Sequence, residues 1–506
     1  MKAVEVAAED PKPAPKKRGL REFVADNAIV ALAMLIAKLR GIVTLPLIVG
    51  ALGTAGYGTW SQILAFVTLL HAVVSFNLHL PLVRFIAADR KEAPRIYSTV
   101  MLLTIGITGT SALLLLPFSR GASGFLLGDR SLSRHLAVGL VLVFTNAVRQ
   151  INLNVYRAYD RFFVRSVMEL VTSAVELAAI IVVLVKTHDI FTALVTMAAW
   201  GLVVALVSTW HASRFSGIGR PSKAIATRAL AYATPLLPAA LSMWMLDRAD
   251  RFFVGHYLGA KEVGIYSACY ALGGLVIQAQ MPFQMTLFPK VAQLWDTDRR
   301  AARRYVELSN KFFLSLAIPF TIACGVMAPR ILVKLGNEEI SAKSAVLTVL
   351  VSAGVALYGV SVMQLQILHG ARRTMTQGVV HVGAALLNVG LNVVLLPRVG
   401  TVGAAIATLV SYGATVIAFG RLTHQYLPIS YFPGYLAKSV LASMVMLAPM
   451  IALSPHGTFG IVGAVAAGLL VYFGALVLFR AFSPEEIAVV KGGLRKLRGK
   501  AAPPNG

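Results

Sequence analysis

Four ionisable residues lie inside one long apolar stretch of the sequence: Asp247, Arg248, Asp250 and Arg251. A charged side chain near the centre of a bilayer costs about 2.5–3.5 kcal/mol. A membrane segment that keeps four such residues is therefore expected to line a water-filled cavity. The pattern is typical of transport rather than of enzyme catalysis.

The composition places the chain in a membrane. Apolar residues make up 57% of the 506 positions, charged residues make up 14%, and the mean hydropathy is +0.72. The apolar residues form repeated runs of about 20 or more, long enough to cross a bilayer as helices. We predict an all-α integral membrane fold with about fourteen transmembrane helices. Their predicted spans are 24–51, 58–86, 96–119, 136–159, 166–187, 191–213, 229–258, 262–295, 312–336, 343–371, 377–398, 400–427, 435–454 and 458–482.

The net charge of +25 is divided unevenly between alternate loops. With the N-terminus placed inside, about 33 of the 47 Lys and Arg residues lie on the inner side or in the tails, and about 9 lie outside. This bias predicts a bacterial cytoplasmic (inner) membrane protein with both termini in the cytosol. It places Lys223 and Arg303 inside and Ser123 and Glu338 outside, and it argues against a nucleic-acid partner. The basic segments that suit anionic lipid headgroups are 214–228, 296–304 and 491–500.

The sequence carries no catalytic or metal-binding motif. The two cysteines, Cys269 and Cys324, lie in apolar runs, so no disulfide framework or metal cluster is predicted. There is no metal-ligand spacing, phosphate-binding glycine loop or nucleophile elbow. We therefore expect no metal and no cofactor. The outer loops are short, whereas a membrane enzyme acting on glycans would be expected to display catalytic residues on a sizeable outer loop.

An internal repeat relates the two halves of the chain. Segment 151–161 (INLNVYRAYDR) aligns with 363–373 (MQLQILHGARR) at an offset of 212, and 52–58 (LGTAGYG) resembles 258–266 (LGAKEVGIY). Each unit holds six spans, so both halves have the same orientation, and a pseudo-two-fold axis along the membrane normal is predicted. The predicted organisation is a disordered basic cytoplasmic tail (1–22), an N-lobe (23–213), a cytoplasmic linker (214–228), a C-lobe (229–427), two extra helices (428–482) and a cytoplasmic tail (483–506).

Two junctions between spans resemble a known family. They are AKLRGIVTLPLIVGALGTAGYGTWSQ (37–62) and DRFFVGHYLGAKEVGIYSACYALGGL (250–275). Both are similar to the equivalent junctions in the polysaccharide-transport branch of the multidrug/oligosaccharidyl-lipid/polysaccharide (MOP) exporter superfamily, the branch of the O-antigen and exopolysaccharide flippases. Together with the span count, the resemblance covers roughly residues 20–485.

The resemblance implies a transporter rather than an enzyme. Its implied substrate is an undecaprenyl-diphosphate-linked oligosaccharide, moved to the outer leaflet by alternating access for O-antigen, capsule or exopolysaccharide synthesis. The implied protein partners are a polysaccharide polymerase and a chain-length regulator. The alternatives are a peptidoglycan lipid-precursor flippase, a MATE-like exporter, or a membrane glycan transferase or polymerase.

Five basic residues lie deep in the predicted spans and are candidates for binding the diphosphate: Lys38, Arg40, Arg149, Arg248 and Arg251. The planar guanidinium of arginine and the ammonium group of lysine are the side-chain groups that bind phosphate oxygens. The alternative is internal neutralisation, because Asp247 and Arg251 are spaced i, i+4 on one helix face.

Three acids are candidates for lining the cavity or coupling transport to an ion: Asp247, Asp250 and Glu176. A buried carboxylate can titrate, and so serve a cycle driven by protons or sodium. The alternative is a structural salt bridge, for example between Glu176 and Arg149.

Amide side chains of span 4 and of its repeat partner are predicted sugar contacts: Asn152, Asn154, Gln364 and Gln366. Hydrogen bonds between helices are the competing explanation for these four residues.

Arg84 and Lys290 occupy repeat-equivalent places at the predicted cytoplasmic ends of spans 2 and 8. They are predicted to form a basic inner gate, and snorkelling to lipid headgroups explains them equally well. Pro235 and Pro238 are expected to bend span 7, because proline removes a backbone donor.

Overall fold

The computed structural model describes residues 20–453 and 457–482, without the side chains of residues 20–40, 42, 43, 285, 374 and 458. All regular secondary structure in this part of the chain is helical, which confirms the predicted fold class. Most of the predicted N-terminal tail and all of the predicted C-terminal tail lie outside the described residues. Helices α1 to α7 are Leu20–Val74, His79–Ala88, Ala93–Leu115, Ser119–Leu126, Ser133–Ala158, Phe162–Thr187 and Ile190–Ser216.

The second half of the described chain holds eleven further helices. Helices α8 to α18 are Lys223–Ala233, Leu237–Trp244, Asp250–Leu258, Ala260–Gly273, Met281–Leu294, Arg299–Leu335, Glu338–Gly370, Thr374–Val399, Thr401–His424, Pro433–Ala452 and Gly457–Leu478. Short irregular turns join several of them. A 3-10 turn, Thr234–Leu236, leads into α9, a π-helical turn, Met245–Ala249, leads into α10, and a 3-10 segment, Gly274–Ala279, leads towards α12.

Twelve stretches of helix within the described residues are long and apolar enough to cross a membrane, against about fourteen predicted. The first two predicted spans are joined in α1, which bends at Gly53 (φ 71°, ψ 180°) and is helical on both sides of it. The eighth predicted span is divided between α11, the 3-10 segment and α12, each too short to cross alone. Large apolar side chains face outwards on the long helices, for example Leu206 on α7, which is 71% exposed, and Val379 on α15, which is 73% exposed. Outward apolar side chains suit a lipid environment, and the chain is a multi-pass membrane protein.

The seventh predicted span is a broken helix made of α8, α9 and α10. Pro235 lies in the 3-10 turn before α9, and Pro238 lies in the first turn of α9. Both prolines lack a backbone N–H, so an uninterrupted α-helix is disfavoured here. The π-helical turn then inserts an extra residue directly at Asp247 and Arg248. Such bulges occur frequently at functional sites.

The broken span connects two separate clusters of buried side chains. Ile225, Ala229 and Ala233 of α8 pack with side chains of α2, α3 and α5. Farther along the span, α10 packs against α11, α15 and α16. Helix α7 ends at Ser216 and α8 begins at Lys223, both within the predicted linker 214–228.

Helices α1 and α11 approach each other closely because glycines lie at their contact. A Cβ atom on Gly58 would lie 1.8 Å from the carbonyl oxygen of Ala260, and one on Gly264 would lie 2.1 Å from the carbonyl oxygen of Thr54. Glycine therefore allows a backbone-to-backbone approach that any side chain would prevent. The contact is reciprocal, since Thr54 and Gly58 lie 206 positions before Ala260 and Gly264.

Helices α17 and α18 pack on each other and on α13. Met446 and Met450 of α17 and Tyr472 of α18 form a buried cluster with Met327 of α13. The Tyr472 hydroxyl donates to the carbonyl oxygen of Ser315 on α13, at 2.8 Å. This pair of helices, predicted as an addition to the two repeats, is thus anchored to the second half of the chain.

Candidate functional site

A first polar cavity of about 390 Å³ lies among α1, α2, α5 and α6. We call it the N-side cavity. Three arginines and one glutamate line it, so its formal charge is two positive when the histidines are neutral. Its ionisable lining residues are Arg149, Arg157, Arg165, Glu169, His71 and His79.

Several polar atoms in the N-side cavity have no hydrogen-bond partner among the described residues. They are Nε2 of His71, Nδ1 of His79 and Oδ1 of Asn154. Arg149 makes one hydrogen bond, from Nη2 to Oδ1 of Asn146 at 3.2 Å, and the donors of a guanidinium exceed that one bond. Oδ1 of Asn154 is an acceptor, so the unused donors of the cavity are those of the Arg149 guanidinium. Together with the excess positive charge, these donors suit the cavity to binding an anion.

A second polar cavity of about 490 Å³ lies among α9, α10, α11, α14 and α16. We call it the C-side cavity. Its wall combines aromatic rings with charged and amide side chains. The residues that define it are Trp244, Asp247, Arg248, Arg251, Tyr270, Gln278, Tyr358 and Tyr412.

The charges of the C-side cavity are paired within the protein. Arg248 Nε lies 3.1 Å from Asp247 Oδ2, and Arg251 Nη1 lies 3.2 Å from Asp250 Oδ1. Asp250 and Arg251 are 1% and 8% exposed, whereas both side chains of the first pair are partly exposed. The hydroxyl of Tyr266 also donates to Asp250. The C-side cavity is thus close to neutral, which weakens the expectation that Arg248 and Arg251 hold a diphosphate.

The expected pairing of Asp247 with Arg251 along one helix face is wrong. Arg251 Nη1 donates instead to the backbone oxygen of Asp247 at 2.9 Å, and its ion pair is with Asp250. The physical reason is the π-helical turn, which changes the register on which an i, i+4 pair depends.

One hydrogen bond joins the two cavities. Trp244 Nε1 donates to Thr68 Oγ1 at 3.0 Å. Trp244 lines the C-side cavity and Thr68 lines the N-side cavity. The two spaces are therefore neighbours, and this pair of side chains lies between them.

The four predicted sugar-contact residues divide into two repeat-related pairs. Asn152 is fully buried, accepts from Tyr97 and donates to Ser208 and Thr209. Gln364 is fully buried too, and it donates to Tyr431 and to the backbone of α16. The bonds of Asn152 join three helices, and the bond from Gln364 to the backbone of α16 joins two, which supports the interhelical explanation for both amides. A sugar contact by either residue stays a prediction.

The other pair, Asn154 and Gln366, has unpartnered side-chain oxygens among the described residues, and Oε1 of Gln364 is unpartnered as well. Asn154 and Gln366 each donate to the carbonyl oxygen four residues earlier. Each is 4% exposed, and each leaves its side-chain oxygen without a partner among the described residues. Asn154 lines the N-side cavity, so it stays a candidate ligand contact.

The remaining predicted residues lie away from the two cavities or outside the described side chains. Lys38 and Arg40 belong to α1, but their side chains are not among those described. Glu176 is half-buried on α6, and the glutamate that lines the N-side cavity is Glu169. Exposed Arg84 lies over the ring of Tyr232 on α8, 5.0 Å from its centroid, and exposed Lys290 donates to Gln293 at 3.4 Å. A gate formed by Arg84 and Lys290 stays a prediction.

Sequence reasoning missed four residues of the N-side cavity: Arg157, Arg165, His71 and His79. The two arginines lie near helix ends, where charged residues usually lie at the membrane interface. The histidines flank the break between α1 and α2, which brings both rings to one space. The spacing of Arg165 and Glu169, which lie one helical turn apart at the start of a span, was the feature of the sequence that could have indicated this cavity.

The sequence of residues 23–295 matches the family described as "Polysaccharide biosynthesis protein". This match covers more than half of the 506 residues. The chain belongs to the polysaccharide biosynthesis protein family. A second family, MatE, matches residues 235–394, and the two matches together confirm the resemblance to the MOP superfamily.

Two curated relatives of this family member come from the archaeon Haloferax volcanii (strain DS2). The "Probable low-salt glycan biosynthesis flippase Agl15" is 22% identical over 407 residues, which cover 78% of this chain and 82% of the relative. The "Probable flippase AglR" is 29% identical over 202 residues, and the match spans 36% of this chain and less than half (42%) of that relative.

Solved structures show the same fold at low sequence identity. The "Lipid II flippase MurJ, inward closed conformation" superposes with a TM-score of 0.73 at 14% identity, over 90% of this family member and 99% of that chain. An inward-facing MATE family transporter of the MOP superfamily gives a TM-score of 0.59 at 16% identity, over 79% and 97%.

Proposed function

We propose that the protein is a flippase that carries a polyprenyl-diphosphate-linked oligosaccharide across the cytoplasmic membrane by alternating access. Undecaprenyl is the carrier that we infer for a bacterial membrane. The observation that carries this proposal is the N-side cavity, a space with excess positive charge and unused guanidinium donors inside apolar helices. Two relatives named as probable flippases support the same class of activity.

The diphosphate is the part of the substrate that resists crossing most, since an anion loses its hydration in a low-dielectric medium. Arg149, Arg157 and Arg165 offset that loss with charge-assisted hydrogen bonds, and the planar guanidinium matches phosphate oxygens at two points. His71 and His79 add ring nitrogens to the same lining. The diphosphate site we propose is therefore on the first half of the chain, with Arg149 as the one member that the sequence identified.

Reconstitution tests the proposal. Purified protein in liposomes should move a fluorescent undecaprenyl-diphosphate-linked oligosaccharide to the leaflet where an added glycan-cleaving enzyme reaches it, faster than protein-free liposomes do. The same assay with a peptidoglycan lipid precursor measures the competing cargo, and imposed proton or sodium gradients reveal coupling. Failure to move any diphosphate lipid, or release of a new glycan product in its place, would overturn the flippase proposal.

A further inference from the structure

We propose that the C-side cavity is the sugar-binding subsite, in which Trp244 forms the platform for an uncharged pyranose ring. This inference rests on the proposed flippase function and assigns a separate role to a separate cavity. The diphosphate belongs in the N-side cavity, and the first sugars attached to it belong across the Trp244–Thr68 boundary.

The first argument is the balance of charge. The lining of the N-side cavity has three arginines against one glutamate. In the C-side cavity, each arginine faces an aspartate at 3.1–3.2 Å. A neutral cavity offers an anion little and does not repel a neutral polar molecule. The two parts of a glycolipid headgroup differ in the same way, one being anionic and the other hydroxyl-rich and neutral.

The second argument is the aromatic wall. Four aromatic side chains line the C-side cavity: Trp244, Tyr270, Tyr358 and Tyr412. The rings of Tyr358 and Tyr412 lie 5.1 Å apart at 40°, so they form a folded surface rather than a flat one. The C–H face of a pyranose packs on an aromatic face. The polar ends of three of these rings are held within the protein, because Trp244 donates to Thr68, Tyr270 to Asp247 and Tyr412 to the backbone oxygen of Leu246, so these rings offer their faces. Such a lining recognises the sugar ring by its shape, and the few polar groups between the aromatic rings recognise its hydroxyl groups by their positions.

The third argument is the set of polar groups that remain accessible between the rings. The side chains of Asp247 and Arg248 are 49% and 39% exposed, so one acceptor group and one donor group face the space. Oε1 of Gln278 is buried in the same wall and has no hydrogen-bond partner among the described residues. A carboxylate, a guanidinium and an amide supply the acceptors and donors that sugar hydroxyls require.

The fourth argument is position. The indole N–H of Trp244 bonds Thr68 of the N-side cavity, and its ring borders the C-side cavity. Trp244 also contacts the ring of Phe252, 5.9 Å away, which restrains its orientation. A diphosphate held by Arg149 would present its attached sugar to this boundary first. Trp244 is therefore the residue whose loss should affect sugar binding most.

Binding of lipids with and without sugar tests this inference. The probes are undecaprenyl diphosphate and three forms of it that carry one glucose, one galactose or one N-acetylglucosamine, bound to purified protein in nanodiscs. At least one sugar-bearing form should bind more tightly than the bare lipid. Trp244→Leu should lower the ratio of sugar-bearing to bare-lipid affinity by about three- to tenfold. Arg149→Gln should weaken all four lipids alike.

The control is Trp210→Leu, which removes an exposed tryptophan on α7 and should retain the sugar-dependent gain. If Trp244→Leu fails to fold, Tyr358→Leu and Gln278→Leu replace it with the same expectation. Equal affinity of the unaltered protein for all four lipids would overturn the sugar subsite and leave the flippase proposal standing. Binding of none of them would overturn both.

Discussion

The hydroxyl oxygens of Ser61 and Ser267 lie 2.8 Å apart, and the two residues are separated by 206 positions. The same offset relates Gly53 to Gly259, two glycines with positive φ that begin matching segments. Ser61 lies on α1 and Ser267 on α11. A residue that contacts its own repeat equivalent is what a local two-fold axis requires, since only points near the axis meet their images. Helices α1 and α11 therefore meet where the predicted pseudo-two-fold axis would pass.

Cross-linking this contact should stop transport. The double variant Ser61→Cys/Ser267→Cys, made with Cys269→Ala and Cys324→Ala, should form a disulfide on mild oxidation because the side-chain atoms already touch. Alternating access would require α1 and α11 to separate at this end, so the oxidised protein should lose flipping and reduction should restore it. Single-cysteine variants are the controls. Full activity of the cross-linked protein would mean that this contact does not open.

The close approach at Gly58 predicts a sharp dependence on side-chain size. Gly58→Ala should destabilise the protein by at least about 1–3 kcal/mol, because the new methyl group would meet the backbone of Ala260. Gly50→Ala on the same helix is the matched control, since its Cβ meets nothing within 4 Å. Thermal melting in detergent measures both variants. An equal melting temperature for the two would show that α1 and α11 are not in this contact in the membrane protein.

The buried pair of Asp250 and Arg251 predicts a stability effect separate from transport. Asp250→Asn or Arg251→Met alone should lower stability by about 3–5 kcal/mol, because each leaves the other charge buried without its partner. The double variant Asp250→Asn/Arg251→Met should recover most of the loss. Asp247→Asn, in the partly exposed pair, should cost less than about 1 kcal/mol. If all four variants melted at the same temperature, the predicted difference between the buried and the partly exposed ion pair would be refuted.

More of the fold than of the candidate site could be predicted from the sequence. Long apolar runs, the repeat offset and the two prolines at the start of α9 predicted the helices and the break in the seventh span, since these follow from local chemistry. The junction at Gly53 was predicted as a loop between two spans, yet a single glycine with positive φ turns the chain while the helix continues on both sides.

Which residues line the cavities depends on contacts between helices, and the spacing of residues in the sequence does not reveal these contacts. Asn152 and Asn154 lie two positions apart, but one faces three partners on neighbouring helices and the other faces a cavity. Arg165 became a cavity residue because α6 begins beside α1 and α5. Such assignments need the packing of helices far apart in sequence, and the π-helical turn near Asp247 adds a change of register that periodicity does not reveal.

Membrane topology can be tested at positions that the structure shows to be accessible. Lys223 and Glu338 are exposed, whereas Ser123 is fully buried and would label poorly. Glu338→Cys should react with an impermeant thiol reagent in intact cells, and Lys223→Cys should react only after the membrane is permeabilised, because basic loops stay inside. Cys269→Ala/Cys324→Ala provides the background. The reverse pattern would invert the predicted orientation.

Flipping by Arg149→Gln tests the central claim most directly, namely that the N-side cavity holds the diphosphate while the lipid-linked glycan crosses. The assay is translocation of undecaprenyl-diphosphate-linked oligosaccharide in liposomes with matched protein content and melting temperature. The exposed Arg214→Gln on α7 is the control, because that guanidinium lies over Trp210 outside both cavities. Loss of a charged hydrogen bond is worth about 1.5–3 kcal/mol, so we expect flipping by Arg149→Gln to fall about ten- to hundredfold, while Arg214→Gln stays near normal. An unchanged rate for Arg149→Gln and for Arg149→Gln/Arg165→Gln would contradict the account.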